Sequence, residues 1–146
     1  AMSKLYTIGF TRKSLRDFVT LLQQAGVDAV VDIRLRPHSQ LAGYAHGRDL
    51  AYVLELVGIG YEHEPRLAPT PEILDGYRAD GEWQEYTRAF TNLMQERAME
   101  EIGRSVLARW KAPCLLCSEA TADQCHRRLV AEYWAQELPP LEIVHL

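Results

Sequence analysis

The hydrophobic pattern of the chain alternates between short apolar runs of strand length and longer segments whose apolar residues recur at helical spacing. The segment at 27–33 is a near-continuous apolar run, which is typical of a parallel strand covered on both faces. The alternation predicts an α/β fold, a three-layer sandwich around a mostly parallel central sheet of about five strands. The strand candidates occupy residues 5–10, 27–33, 59–63, 114–117 and 141–146.

Local signals indicate where the helices begin and end. Ser14 is expected to cap a helix that stops at Gly26, and the long helical segment 82–111 is expected to break once, near Thr91 or Glu96. Residues 40–48 contain two glycines and little periodicity, so we expect a mobile flap over the strand ends. Further helices are predicted at 48–57, at 72–79 after Pro71, and from Cys125 to the prolines at 139 and 140.

Composition places the chain among ordinary globular proteins, with 47% hydrophobic and 25% charged residues in 146. We expect one domain over residues 1–146 and no membrane-spanning segment. Three cysteines without the spacing of a disulfide framework are consistent with a reducing compartment, so we expect a cytoplasmic protein. The net charge of −4 gives no global attraction to nucleic acid, and any anion site must be local. Nothing in the composition implies a cofactor or an oligomeric state.

A strand, a loop and a helix between Pro113 and Trp134 carry the most suggestive chemistry. Cys117 ends the strand, Cys125 opens the helix, and His126 with Arg127 follows at once. A helix amino terminus and nearby cations favour a thiolate, so either cysteine could be reactive. Two alternatives stay open: a metal site made of the two cysteines and His126, completed by Glu119 or water, and simple burial of small residues. Cys114 lies inside the apolar run and is expected in the core.

A second group of polar residues follows the second strand. Asp32, Arg34 and Ser39 emerge where this buried strand meets its loop. A guanidinium suits bidentate capture of carboxylate or phosphate, although an Asp–Arg pair that braces the loop explains the pattern equally well. Gly9, at the end of the first strand, could let the backbone approach a ligand closely.

These segments together resemble a family. The stretches TIGF, VVDIRLRPHS, GIGYEH, LLCSE, QCHRRLVAEYW and IVHL are similar to the bacterial and archaeal proteins grouped as domain of unknown function 488. The resemblance implies a compact α/β fold and no assigned activity. One departure is LAPT at 67–70, where the family usually shows a Leu-Gly-Gly turn. The matching positions are Gly9, Asp32, Arg34, Pro37, Ser39, Tyr61, Cys117, Glu119, Cys125, His126 and Arg127.

A more distant likeness is to rhodanese-like domains, in which a strand ending in Asp and Arg neighbours a strand that delivers a catalytic cysteine. VVDIR and LLCSEATA look similar in outline. The phosphatase version of that fold has an arginine five residues after its cysteine, and this chain has Ala122 there. The likeness is therefore architectural.

Three functions follow from these residues as hypotheses. The first is a small cysteine-dependent enzyme acting on an anionic, nucleotide-like or phosphorylated substrate. In it Cys117 or Cys125 is the nucleophile or redox thiol, His126 the base or orienter, and Glu119 or Asp32 the group that positions or exchanges a proton. Gly9, Arg34, Ser39 and Arg127 would join Asp32 in binding the substrate. The second is a nucleotide or nucleic-acid binding module without catalysis, and the third is a Cys/His metal-binding protein.

Overall fold

The computed structural model describes residues 2–39 and 43–146, with the backbone alone at Ser39. Its sheet confirms the predicted α/β architecture. Five strands are ordered β3-β2-β4-β1-β5, and every neighbouring pair is parallel. The strands are β1 (Ser3–Gly9), β2 (Ala29–Asp32), β3 (Gly60–His63), β4 (Pro113–Cys117) and β5 (Leu141–His145). Because all five run the same way, the carboxyl ends of the adjacent strands β2, β4 and β1 meet at one edge.

Six α-helices cover the two faces of this sheet within the described residues. They are α1 (Leu15–Ala25), α2 (Gly47–Leu56), α3 (Pro71–Asp80), α4 (Trp83–Glu96), α5 (Met99–Arg109) and α6 (His126–Glu137). The helical segment predicted over 82–111 is indeed broken once, at Arg97 and Ala98, where Ala98 takes a left-handed conformation with φ of 49°. None of the helices in the described ranges has the length and apolar character that a membrane span requires.

The helix ends follow the signals in the sequence. The Ser14 hydroxyl accepts a hydrogen bond from the Asp17 amide at 3.0 Å, and Gly26 ends α1 in a left-handed conformation. Pro71 is the first residue of α3. The proposed flap at 40–48 includes residues 40–42, which lie outside the described residues. Its remainder forms a short 3₁₀ turn at Gly43–Ala45 and the start of α2.

Side chains of alternate strand residues feed two apolar clusters, one on each face of the sheet. Leu5, Val31 and Leu115 pack with α4, α5 and α6 on one face. Ile8 and Leu116 pack with α1 and α2 on the other. This is the alternation expected of strands covered on both sides, and it produces the three layers. Cys114 belongs to the second cluster and is fully buried, as predicted, and burial raises the pKa of its thiol.

Candidate functional site

The loop between β4 and α6 brings Cys117 and Cys125 together. Cys117 is the last residue of β4, and Cys125 is the residue that precedes the first turn of α6. Their sulfur atoms lie within bonding distance, while their Cα atoms are 7.4 Å apart. Disulfides usually join Cα atoms roughly 4.4–6.8 Å apart, so the backbone here is spaced for two separate thiols that can meet.

The β4–α6 loop is tied to the loop after β1. The Thr11 amide donates a hydrogen bond to the Ser118 carbonyl at 3.1 Å, and the Lys13 ammonium donates to the Ala120 carbonyl at 3.3 Å. Gly9 makes this approach possible, because a Cβ atom there would collide with the carbonyl oxygen of Glu119. From the sequence we expected Gly9 to let the backbone approach a ligand closely. In the structure Gly9 instead approaches the chain's own β4–α6 loop.

Arg127 lies beneath this loop and is 1% exposed. Its guanidinium donates to the Thr7 hydroxyl at 3.1 Å, to the Glu119 carbonyl at 2.8 Å and to the Cys117 sulfur at 3.4 Å. Burial lowers the pKa of Arg127, and among the described residues no carboxylate forms a salt bridge with it. An unpaired buried cation is costly. The Glu119 charge partly offsets that of Arg127, and the Cys117 sulfur is the group in direct contact that would add a counter-charge if it were ionised.

His126 presents a neutral imidazole to the same corner. Its Nε2 lies 2.7 Å from the Ile33 carbonyl, which can only accept, so Nε2 carries the proton and Nδ1 keeps a lone pair. Burial lowers the pKa of His126 to about 4. A base this weak is poorly matched to a thiol near neutral pH, so the geometry favours His126 as an orienting residue over the general base.

Cys117, Cys125 and His126 also form a possible metal-ligand set. One ligand atom from each residue lies within 4.8 Å of the other two. Sulfur and imidazole are the donors that Zn²⁺ prefers, and a ligating His commonly donates its other N–H to a backbone carbonyl, as His126 does to Ile33. The residue types therefore suit zinc, but the two sulfurs, which lie at bonding distance here, would have to separate to hold it, and a fourth ligand would be needed.

Asp32 and Arg34 form a buried, bidentate ion pair at the end of β2. The Asp32 carboxylate accepts from Arg34 Nε at 2.8 Å, from Nη2 at 2.7 Å and from the Tyr61 hydroxyl at 2.5 Å. Burial, followed by the Asp32 charge, raises the pKa of Tyr61. Asp32 thus braces the loop, which was one of the two alternatives. The remaining nitrogen of Arg34, Nη1, is buried and has no hydrogen-bond partner.

A cavity of about 200 Å³ opens beside these groups. The predicted site residues that line it are Arg34, Cys117, Glu119, Cys125 and His126. Residues that follow β2 and β4 and residues at the start of α6 therefore line one cavity, whereas no residue of β1, whose end was expected to contribute, is among its lining residues. Gly9, Asp32 and Arg127 are not among its lining residues. They contact residues that are: Gly9 lies against Glu119, Asp32 pairs with Arg34, and Arg127 bonds Cys117. The Ser39 side chain lies outside the described residues.

Three aromatic residues also line the cavity, and the sequence did not identify them as part of the site. Tyr77 of α3 and Trp83 and Tyr86 of α4 line it. Helical spacing indicated that Trp83 and Tyr86 belong to the core. Tyr86 is 5% exposed and does so, but Trp83 is only partly buried, and both also face the cavity. The one available signal was the clustering of three aromatic residues around the turn at Asp80 and Gly81.

Comparison with known proteins identifies a family and leaves the activity open. The family described as domain of unknown function DUF488 matches residues 14–134, well over half of the chain. No curated protein and no solved structure gives a significant match. The match includes the second strand with Asp32 and Arg34 and the whole Cys117 to Arg127 segment. The chain therefore belongs to the DUF488 family, as the resemblance of its motifs indicated.

Proposed function

We propose that the protein is a cysteine-dependent enzyme in which Cys117 is a thiolate nucleophile and Cys125 a second, resolving thiol. The observation that carries this proposal is the contact of the buried Arg127 guanidinium with the Cys117 sulfur, in the absence of a described carboxylate partner for Arg127. The amino terminus of α6 adds a further positive potential beside Cys125. Both cysteines are lining residues of the cavity, and at 2% and 4% exposure they also belong to the buried apolar cluster, so only their cavity-facing atoms are open to a substrate.

Two sulfurs that can reach bonding distance support exchange with an oxidised-sulfur substrate. The Cys117 thiolate attacks one sulfur of a substrate disulfide, and the other sulfur leaves as a thiolate with the bonding electron pair. Cys125, after losing its proton to solvent, attacks the Cys117 sulfur and releases the second substrate thiolate. The protein is then oxidised to a Cys117–Cys125 disulfide, and an external dithiol reduces it again. A cytoplasmic location, which keeps thiols reduced, belongs to the same proposal.

The neighbouring side chains have supporting roles in this reaction. His126, neutral and fixed by Ile33, offers Nδ1 as a hydrogen-bond acceptor for a protonated thiol. Glu119 lies at the cavity with an exposed side chain and is the candidate for moving a proton to or from solvent. Arg34, whose charge is paired with Asp32, offers its remaining guanidinium nitrogen to an anionic substrate.

The test is site-resolved alkylation by iodoacetamide, followed by mass spectrometry over a range of pH. Cys117 should react at its full rate well below the reference cysteine pKa of about 8.5, because only the thiolate is alkylated. Arg127→Met should move its profile toward that of a free thiol. Arg128→Met, which removes a charge from the next position of α6, should leave it nearly unchanged.

Cys114 supplies an internal control in the same experiment, since it is fully buried and should react only after unfolding. A Cys117 profile that follows a free thiol in the wild type contradicts the proposal, whether or not Arg127→Met folds. Inert thiols would instead favour a nucleotide or nucleic-acid binding module that uses the cavity without catalysis.

A zinc site is the second candidate, favoured by the clustering of the Cys117, Cys125 and His126 ligand atoms. When bound, Zn²⁺ would act as a Lewis acid and would hold both cysteines as thiolates. Elemental analysis of protein purified without chelator separates the two functions. One zinc per chain, lost in Cys117→Ser and retained in Cys114→Ser, would replace the thiol-exchange proposal.

A further inference from the structure

Among the described residues that line the cavity, Arg34 has a buried side-chain nitrogen without a hydrogen-bond partner. Arg34 is 4% exposed, and its guanidinium uses Nε and Nη2 on Asp32. Nη1 is buried without a hydrogen-bond partner. An unmade hydrogen bond from a buried charged group costs about 1–3 kcal/mol or more, so such a donor is expected to meet an acceptor when the site is in use.

The Asp32 pairing also fixes the direction of this donor. Two hydrogen bonds to one carboxylate hold the guanidinium plane rigidly, and Phe10 stacks on it with 5.2 Å between Arg34 Cζ and the ring centre. The nitrogen that remains, Nη1, belongs to a residue that lines the cavity. Arg34 is therefore a preorganised donor for a group with anionic oxygens, and a bound ligand need not order it.

The aromatic lining of the cavity indicates what kind of group would accompany the anionic oxygens in a ligand. Trp83 and Tyr86 are stacked with 5.2 Å between ring centres, and Tyr77 meets both rings at an angle. Trp83 is also covered by the Arg128 guanidinium at 5.8 Å, which holds its ring in place. A rigid aromatic surface beside a cavity favours a flat, apolar ring.

Guanidinium groups, which can donate hydrogen bonds to anionic oxygens, line the cavity in spite of the chain's net negative charge. Arg36 and Arg78 line it in addition to Arg34, and Glu119 is the one carboxylate among its lining residues in the part of the chain described. Arg36 lies 3.5 Å from Asp75 in an ion pair that is exposed on both sides. Because Arg34 and Arg36 are both paired with carboxylates, the cavity offers guanidinium hydrogen-bond donors and not a net positive charge.

We infer that this cavity binds a small molecule in which a phosphate or carboxylate group is attached directly to a flat ring. The anionic oxygens accept from Arg34 Nη1, and the ring lies against Trp83 and Tyr86. A cavity of about 200 Å³ is small beside the roughly 300–1,000 Å³ of drug-sized sites, so the ligand is compact or extends through the opening. In the proposed enzyme this aryl anion is the part of the substrate disulfide that the cavity recognises, and in that sense the inference rests on the proposed function.

The chain contains its own matched control for Arg34. Arg66 pairs with Glu64 through the same three bonds, from its backbone N–H, Nε and Nη2, and it too lies two residues after its carboxylate. Arg66 does not line this cavity. Arg34→Lys keeps a positive charge beside Asp32 but removes the unpartnered nitrogen and the planar fork. Arg66→Lys makes the same change elsewhere.

The experiment measures dissociation constants by ligand-observed and protein NMR with four probes. Phenyl phosphate and benzoate carry both features, inorganic phosphate lacks the ring, and phenol lacks the anionic group. At least one of the first two should bind about tenfold or more tightly than both single-feature probes, because two contacts are made at once. Arg34→Lys should weaken that binding about tenfold, and Arg66→Lys should leave it unchanged. Whether phenyl phosphate or benzoate binds more tightly identifies the anionic group.

Trp83→Leu gives a second variant that leaves the ion pair intact, and it should remove the advantage of the ring-bearing probes over inorganic phosphate. The inference is overturned if neither ring-bearing probe binds more tightly than the single-feature probes, or if Arg34→Lys and Arg66→Lys behave alike. If the probes bind in a way that depends on Arg34 but the thiols are inert, this inference stands and the proposed enzyme is overturned. If the thiols are reactive but the probes do not bind, the proposed enzyme stands and this inference is overturned.

Discussion

The Cys117 sulfur accepts a hydrogen bond from Arg127 Nη1 at 3.4 Å, and both side chains are almost completely buried. Arg127 is the second residue of α6; its Nε donates to the Thr7 hydroxyl, and the same Nη1 that contacts the sulfur also donates to the Glu119 carbonyl. The arrangement positions a cation against a thiol before any substrate arrives. The proposed chemistry depends on this contact more than on any other.

The charge of Arg127 should be detectable at His145. Thr7 links the two residues, since its hydroxyl bonds both His145 Nδ1 and Arg127 Nε. Burial, and after it the Arg127 charge, lowers the pKa of His145. Arg127→Met should raise this pKa toward the reference value of about 6.5, as followed by NMR titration of the His145 ring. Cys117→Ser should lower it further, because a thiolate that offsets the Arg127 charge is lost.

The lowered pKa of His145 also makes the free energy of unfolding depend on pH in a defined direction. With a lowered pKa in the folded state, His145 binds protons more readily in the unfolded chain, so folding loses stability as pH falls below about 6.5. Arg127→Met should reduce the contribution of His145 to this loss. Arg66→Met, a charge removal outside the site, serves as the control. An unchanged His145 titration in Cys117→Ser contradicts a thiolate at Cys117.

The buried pair of Asp32 and Arg34 should matter for stability far more than the surface pairs. Asp32→Asn leaves the Arg34 charge without its partner at a site with at most 4% exposure, and we expect a loss of about 3–5 kcal/mol in the free energy of unfolding. Glu101→Gln breaks the exposed pair with Arg104 and should cost about 1 kcal/mol or less. Urea denaturation of both variants checks the difference, and similar losses would show that Asp32 does not brace the loop.

Two helical glycines should respond to alanine with opposite signs. A Cβ atom at Gly103 would lie 2.7 Å from Cε2 of the fully buried Trp134, so Gly103→Ala should destabilise the protein by about 1–3 kcal/mol. Nothing lies within 4 Å of the corresponding atom at Gly76, and Gly76→Ala should stabilise α3 by about 0.5–1 kcal/mol. Thermal unfolding measures both. A stabilised Gly103→Ala variant would mean that α5 and α6 pack less closely than described.

Gly9→Ala should impair the site through the backbone. The new Cβ atom would displace the Glu119 carbonyl and would lie 2.9 Å from Arg127 Nη1. We expect the Arg127 contact with Cys117 to weaken and the rate of Cys117 alkylation at neutral pH to fall. Gly76→Ala is the control, because it adds the same methyl group at a position where nothing lies within 4 Å of it. An unchanged alkylation rate in a folded Gly9→Ala variant would show that Gly9 does not affect the reactivity of Cys117.

Much of the fold could be predicted because local signals agree with the tertiary structure. The Ser14 cap, the Gly26 stop and the apolar run of β2 each act over a few residues, and the structure uses all three. The parallel sheet then brought Arg34 and Cys117 to one edge, as expected. The strand order was not available from the sequence, because periodicity carries no information on which strands pair.

The site contains features that only tertiary packing determines. Arg127 was assigned to substrate binding, but α6 turns it toward β1, where its donors bond Thr7, Glu119 and Cys117. Trp83 was assigned to the core by its helical spacing, which does not distinguish a core face from the wall of a cavity. In both cases the sequence gives the residue type, but it does not show which way the side chain points.

The most direct test of a Cys117 thiolate is a titration of thiolate ultraviolet absorbance in the reduced protein, with Cys117→Ser subtracted. A thiolate signal that depends on Cys117 and persists well below pH 8.5 in the wild type, but not in Arg127→Met, is the result we expect, since a free cysteine has a pKa of about 8.5. A difference signal that appears only near or above the free-thiol value would show that Cys117 is an ordinary buried thiol and would contradict the account.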